Sequence, residues 1–194
     1  MSSDAADTKI KILNASWRLL EAPEGALVRM SDIAKAAGIS RQAVYLHYPS
    51  RAELLIATVR HIDEAQQVET RLAASIEAKS GLERLDGYIE FWAGYIPEVH
   101  GVCRALIAMK DTDPAVKAAW DDRMEALRQG CAAAVGDLKR DGKLNERHST
   151  DAATDLLWML MSISNWEQLT VDCGWSEERY VTEMKNLVRV ALTG

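Results

Sequence analysis

The chain has little of what staples, breaks or stiffens a small protein. Its 194 residues include only four prolines, and 48% of the residues are hydrophobic, so disorder is excluded and there is material for one compact body or a small module fused to a larger one. Cys103, Cys131 and Cys173 are odd in number and far apart, with no CxxC and no histidine at metal-ligand spacing. They imply neither a disulfide framework nor a zinc site. Buried free thiols are the expectation, with redox sensing by one of them as the alternative. The longest purely apolar run, Leu156 to Met161, is far too short to span a bilayer, and the N-terminus through Asp7 is polar, unlike a secretory signal. These features predict a cytoplasmic protein without a membrane partner. No Gly-rich phosphate loop, nucleophile elbow or HExxH is present, and His47, His61, His100 and His148 are scattered over unrelated segments. An enzyme, a cofactor and a metal are therefore not expected.

A net charge of −6 argues against a nucleic-acid partner until it is divided along the chain. Between Thr8 and Arg51, seven basic residues (Lys9, Lys11, Arg18, Arg29, Lys35, Arg41, Arg51) face three acidic ones (Glu21, Glu24, Asp32), a balance of +4 that leaves −10 for the remainder. A basic head and an acidic body suit a molecule that meets phosphates at one end.

The hydrophobic spacing is helical throughout, with no convincing strand alternation. A first helix from about Thr8 to Ala22 shows a face of Ile10, Leu13, Trp17 and Leu20 and stops before Pro23-Glu24-Gly25. A second begins at Ser31 as N-cap and ends at Gly38; a third is capped by Ser40 and stopped by Pro49. Ser50 with Glu53 forms a capping-box signature for a long fourth helix, expected to run to about Lys79 as a rod of roughly 40 Å. Further helices are predicted from Gly81 to Pro97, Val102 to Lys110, Asp113-Pro114 to Gly142, Ser149 to Cys173 and Ser176 to Leu192. Trp175 and Tyr180 bracket the last cap at the spacing of a hydrophobic staple, after a sharp turn at Gly174. The fold expected is all-α with about nine helices: a three-helix, helix-turn-helix domain over residues 1–50 and a larger helical domain over 51–194.

Ser31 to Tyr48 spells two short helices joined at Gly38-Ile39-Ser40. Ile33, Ala34 and Ala37 make a small inward face that lets a second helix cross closely, over an apolar base of Ile39, Val44 and Tyr48. Arg41, Gln42, Ala43, Tyr45 and Leu46 then point away. The N-terminal part of a recognition helix enters the major groove, so Arg41, Gln42 and Ala43 are the base-reading candidates: arginine clamps guanine, glutamine clamps adenine, and the alanine methyl meets a thymine methyl. Ser31, Ser40, Tyr45, His47 and Arg51 suit phosphate contacts. The competing reading is an ordinary α-hairpin in a helical bundle, in which Tyr45 and His47 merely decorate the surface.

Ile33-Ala34, Ala37-Gly38-Ile39-Ser40, Tyr45-Leu46-His47-Tyr48 and Arg51-Ala52-Glu53-Leu54-Leu55 together resemble the DNA-binding region of TetR-family regulators. Tyr48 stands where the family usually has phenylalanine or another apolar residue, Arg51 where it often has lysine, and Gln42 near a frequent glycine. The resemblance implies a transcriptional regulator with a C-terminal domain that binds a small-molecule effector and forms a homodimer through its last two helices. Most such proteins are repressors of palindromic operators, released by ligand. Leu156 to Met161, apolar around more than a full turn, independently calls for a cover on all sides. Two heads reading successive major grooves must lie about 34–36 Å apart, which also calls for a dimer.

Aromatic and sulfur side chains gather in the body. Trp92, Tyr95, Met109, Trp120, Met124, Trp158, Met161 and Trp166 are candidates to line a cavity for an apolar or aromatic effector, or else fill the core. Glu90, Glu125 or Glu167 would favour a cationic ligand if buried. The rival function is a helical ligand-binding or scaffolding protein without DNA binding.

Overall fold

The computed structural model describes residues 2–22 and 28–194. The predicted stop at Pro23-Glu24-Gly25 lies outside the described residues. The fold is all-α, as expected: α1 (Ser2–Glu21), α2 (Met30–Ala37), α3 (Arg41–His47), α4 (Arg51–Ala65), α5 (Val68–Ile76), α6 (Gly81–Met109), α7 (Pro114–Arg140), α8 (Thr150–Leu160), α9 (Ile163–Glu167), which runs into a π-helical turn over Gln168–Asp172, and α10 (Glu177–Leu192).

The helices group into two compact units, Met1–Gln66 with Val99–Met124, and Gln67–Glu98 with Glu125–Gly194. These units follow a different line from the boundary at residue 50. The reason is electrostatic as well as apolar, because α4 is tied to the start of α7 by ion pairs of Arg51 with Asp113, Arg60 with Asp122, and Asp63 with Arg123.

In the first unit, α1 packs on α2 and α4. Its buried face is Ile12, Ala15, Ser16 and Leu20, not the one led by Ile10, which stays 47% exposed. The small Ala15 and Ser16 let neighbours approach closely, whereas the Trp17 indole lies at the margin, donating to Glu21 (2.7 Å) and meeting the His61 ring edge-on at 6.3 Å. Leu54, Leu55, Val59 and Ile62 bury the inner side of α4.

In the second unit, α6 and α7 run side by side so closely that a Cβ on Gly81 would lie 2.6 Å from the backbone of Asp137 and Leu138. The buried Tyr88 hydroxyl donates to the Leu127 carbonyl (3.1 Å) across the same pair. Helix α10 packs on α8 and ion-pairs with α6 through Arg189 and Asp86, and through Lys185 and Glu90.

Four expectations about helix ends are corrected. The second helix starts two residues early, with Arg29 rather than Ser31 as N-cap, so Ser31 sits inside the first turn; the Asp32 carboxylate instead accepts the Arg29 amide (3.3 Å). The fourth helix ends at Ala65, because Gln67 adopts a left-handed φ of 54°. The stretch from Asp63 to Arg71 offers almost no apolar stripe to hold a straight rod, and Ile76 beyond it is exposed. Conversely, Pro97 lies within a continuous α6. A proline forfeits one helical bond, but this one is exposed to water while Ile96 and Val99 beside it are buried and anchor both sides. Lastly, the helix expected from Ser149 to Cys173 breaks at Ser162, whose hydroxyl accepts the Asn165 amide (3.2 Å), while the Asn165 side chain takes the Met159 carbonyl (2.7 Å). Short polar side chains compete here with the helical ladder. Among the described residues, no helix is long and apolar enough to cross a membrane.

Candidate nucleic-acid interface

The exposed face of α3 is built by local chemistry on both sides of a tight turn. Gly38 closes α2 with φ 69° and ψ 31°, its amide bonding to the Lys35 carbonyl (3.2 Å) and the Ile39 amide to that of Ala34 (3.0 Å), a Schellman arrangement. No atom crowds the position a Gly38 Cβ would take, so the positive φ alone requires glycine. Two residues later the Ser40 hydroxyl accepts the Ala43 amide (3.1 Å) and starts α3. Ile33, Ala34 and Val44 are buried between the two helices, with Ile39 and Tyr48 partly covered.

Arg41, Gln42, Tyr45 and Leu46 are left exposed on α3, while Ala43 and His47 are half-covered at its edges. Arg41 is not a lone charge. Its guanidinium donates to the Tyr45 hydroxyl (3.3 Å) and lies 5.4 Å from the centre of the Tyr45 ring, so the two side chains form one platform a helical turn apart. Leu46 is 80% exposed, an apolar side chain at the middle of an otherwise polar face. The sequence pattern points Leu46 away from the core but assigns it no duty. Its signal was the uncovered leucine opposite the buried Val44, one that only the turn geometry makes legible.

The expected phosphate-binding residues separate into two groups. Ser31, Ser40 and Tyr45 are exposed, and His47 is half-exposed. Arg51 is turned into the protein: its Nε donates to the Val28 carbonyl (2.6 Å), it ion-pairs with Asp113, and its side chain is only 20% exposed.

Of the cavity candidates, Trp92, Tyr95, Trp158, Met161 and Trp166 fall in the second unit, while Met109, Trp120 and Met124 fall in the first. Trp92, Met109, Met161 and Trp166 are buried, the rest half-buried. Tyr95 stacks on Phe91 (5.4 Å between centroids), with the Arg71 guanidinium 5.7 Å and 5.9 Å from the two ring centres. Trp92 Nε1 and Tyr180 Oη are buried and have no hydrogen-bond partner among the described residues. Glu90 is exposed and ion-paired with Lys185, and Glu125 is exposed, so neither is the buried carboxylate a cationic ligand would need. Burial pushes the Cys103 and Cys131 thiols up to about 12.

Residues 12–58, which span this head, match the family model described as "Bacterial regulatory proteins, tetR family". Among curated proteins, the chain is 28% identical over 161 residues to the HTH-type transcriptional regulator CymR of Pseudomonas putida, covering 81% of this chain and 76% of that one. It is 29% identical over 109 residues to the nucleoid occlusion factor SlmA of Marinomonas sp., covering 56% of this chain and about half (54%) of that relative's length. Among solved structures, a TetR-family regulator from Rhodococcus sp. superposes with a TM-score of 0.75 at 19% identity, over 97% of this chain and all of that one. A regulator from Saccharomonospora viridis, solved in complex with choline, gives 0.74 at 19% identity over 97% and 99%. At such identities the structural likeness speaks to fold, and it extends over nearly the whole chain. Residues 12–58 thus match the DNA-binding region of tetR-family bacterial regulatory proteins, and the all-helical fold of the chain is similar over nearly its whole length to a solved regulator of that family.

Proposed function

We propose that the chain is a DNA-binding transcriptional repressor that holds a palindromic operator as a homodimer and lets it go when a small molecule binds the helical body. The observation that carries the reading is the exposed α3 face, where Arg41, Gln42, Tyr45 and Leu46 project from a helix pinned beneath by the buried Val44. Arg41, Gln42 and Ala43 read base edges, with Arg41 steadied by Tyr45 for bidentate pairing to guanine. Ser31, Ser40, Tyr45 and His47 hold the backbone and set register. The relative CymR is itself named a transcriptional regulator.

Dimerisation through α8 and α10 is supported by what these helices leave uncovered: Met159 is 49% exposed, Leu187 48% and Val190 81%. Solvent-facing apolar side chains on two packed helices are the material of an isologous interface. For the effector, the buried donors of Trp92 and Tyr180 support a ligand that brings a hydrogen-bond acceptor into an otherwise apolar body, since a buried unpaired donor costs about 1–3 kcal/mol. A ligand that prefers the DNA-incompetent state by about 1–3 kcal/mol lowers operator affinity roughly 5–150-fold.

The test is selection of duplexes from a randomised pool, followed by gel shifts over a range of salt. A near-palindromic consensus and an Arg41→Ala variant that loses preference at one base pair, at about 1–3 kcal/mol, are expected. No salt-sensitive enrichment of any duplex would favour the helical ligand-binding or scaffolding protein instead.

A further inference from the structure

Arg51 stands at the first position of α4, directly after the segment that leaves the recognition helix. Its guanidinium is held from two sides by groups far away in the chain. Nε donates to the carbonyl of Val28, just before α2 begins, and Nη1 pairs with the Asp113 carboxylate at the entry to α7. Asp113 is itself immobilised: its other oxygen accepts the amides of Ala115 (3.0 Å) and Val116 (3.3 Å), and its own amide bonds the Met109 carbonyl at the end of α6 (2.9 Å). The pair does not stand alone. Arg60 with Asp122 repeats the same separation of 62 residues, and Asp63 with Arg123 follows at 60, so α4 and the first part of α7 run parallel with charged partners in register. The planar fork of arginine reaches two acceptors at once; an ammonium group supplies the charge without that geometry.

We infer that Arg51 and Asp113 are a positioning pair for operator binding, in which the Arg51 fork sets the α2–α3 unit by clamping the Val28 carbonyl and Asp113, rather than by touching a phosphate. The inference rests on the DNA-binding reading. It makes a residue outside the head a determinant of DNA affinity, and it opposes the simple electrostatic expectation, since removing the negative Asp113 would otherwise favour a polyanion.

The experiment measures affinity for a duplex recovered by the wild-type protein from a randomised pool, as a function of salt, with circular dichroism confirming that each variant is folded at the assay temperature. Arg51→Lys keeps the charge and loses the fork; Asp113→Asn keeps the α7 cap and loses the charge. Each is expected to weaken binding about tenfold, as follows from losing a charge-assisted hydrogen bond. The slope of log affinity against log salt stays that of wild type, and the double variant is no worse than either single one. Wild-type affinity in Arg51→Lys, or tighter binding by Asp113→Asn, would overturn the inference. So would a lowered melting temperature with unchanged affinity of the folded protein, which would mark the pair as merely structural. In Arg51→Gln, a salt slope reduced by about 0.9 would identify a phosphate contact and overturn it as well. If the wild-type protein enriches no duplex, it is the DNA-binding reading that falls.

Discussion

At the scale of single residues, burial and pairing decide which side chains are chemically available. Cys131 is fully buried and Cys103 partly covered, and for both the loss of water around a thiolate raises the thiol to about 12; Cys173 is exposed. The native protein treated with a maleimide at pH 8 should therefore take up label at Cys173 alone, as read by peptide mass spectrometry. Label at Cys103 or Cys131 would restore them as candidate redox sensors. Asp113 is a second case. Burial alone would raise its pKa, but the hydrogen bond and charge of Arg51, with the Val116 and Ala115 amides, outweigh burial and hold it below the ordinary carboxylate value. A depressed carboxylate stabilises the fold above the unfolded value of about 3.9 and loses that contribution as pH falls through the folded one. The melting temperature of Asp113→Asn should accordingly lie below that of wild type at pH 7, and the gap should narrow steadily on acidification towards and below about 3.9. A gap independent of pH would mean that Arg51 does not stabilise the ionised form.

At the scale of elements, caps and close approaches determine where helices stand. Ser40, Ser50, Ser149, Ser162 and Ser176 each accept an amide at the third helical position of the helix they start. Removing the Ser40 hydroxyl, which holds the turn between α2 and α3, should cost about 1 kcal/mol in Ser40→Ala, measurable by urea unfolding. Gly81 has a different role. Its amide donates to Asp141 (2.6 Å) and its missing Cβ admits the backbone of α7. Gly81→Ala should destabilise by about 1–3 kcal/mol, because backbone cannot move aside as the end of a side chain can. Near-wild-type stability in that variant would mean that α6 starts at a greater distance from α7.

At the scale of the whole molecule, the proposed function requires two heads held at one spacing. Leu187→Glu with Val190→Glu places charge on the open side of α10 without touching the buried Met184, Val188 and Leu192. The variant should remain helical, sediment as a monomer and lose operator affinity by on the order of a hundredfold, because the second head no longer binds as part of the same complex. A folded, still dimeric variant would place the interface elsewhere.

The helix-turn-helix was almost wholly legible in the sequence, because its determinants act within a few residues. Gly38 is needed for a positive φ, Ser40 reaches the amide three positions on, and Val44 is buried because its helix has one inward side. These interactions also placed the family resemblance where residues 12–58 carry it. What escaped the sequence were outcomes settled by partners distant in the chain or by covering surfaces. Pro97 breaks nothing because its neighbours Ile96 and Val99 are anchored in buried surroundings, and the face of α1 turned towards Ala15 and Ser16 because small residues permit the closer packing. Arg51 is the clearest instance. A basic residue beside a recognition helix reads as a phosphate contact, yet its acceptors lie 23 and 62 positions away, and only the folded chain brings them within hydrogen-bond reach of one guanidinium. Local backbone chemistry is written residue by residue; which group a long, flexible side chain finally meets is decided when the helices pack.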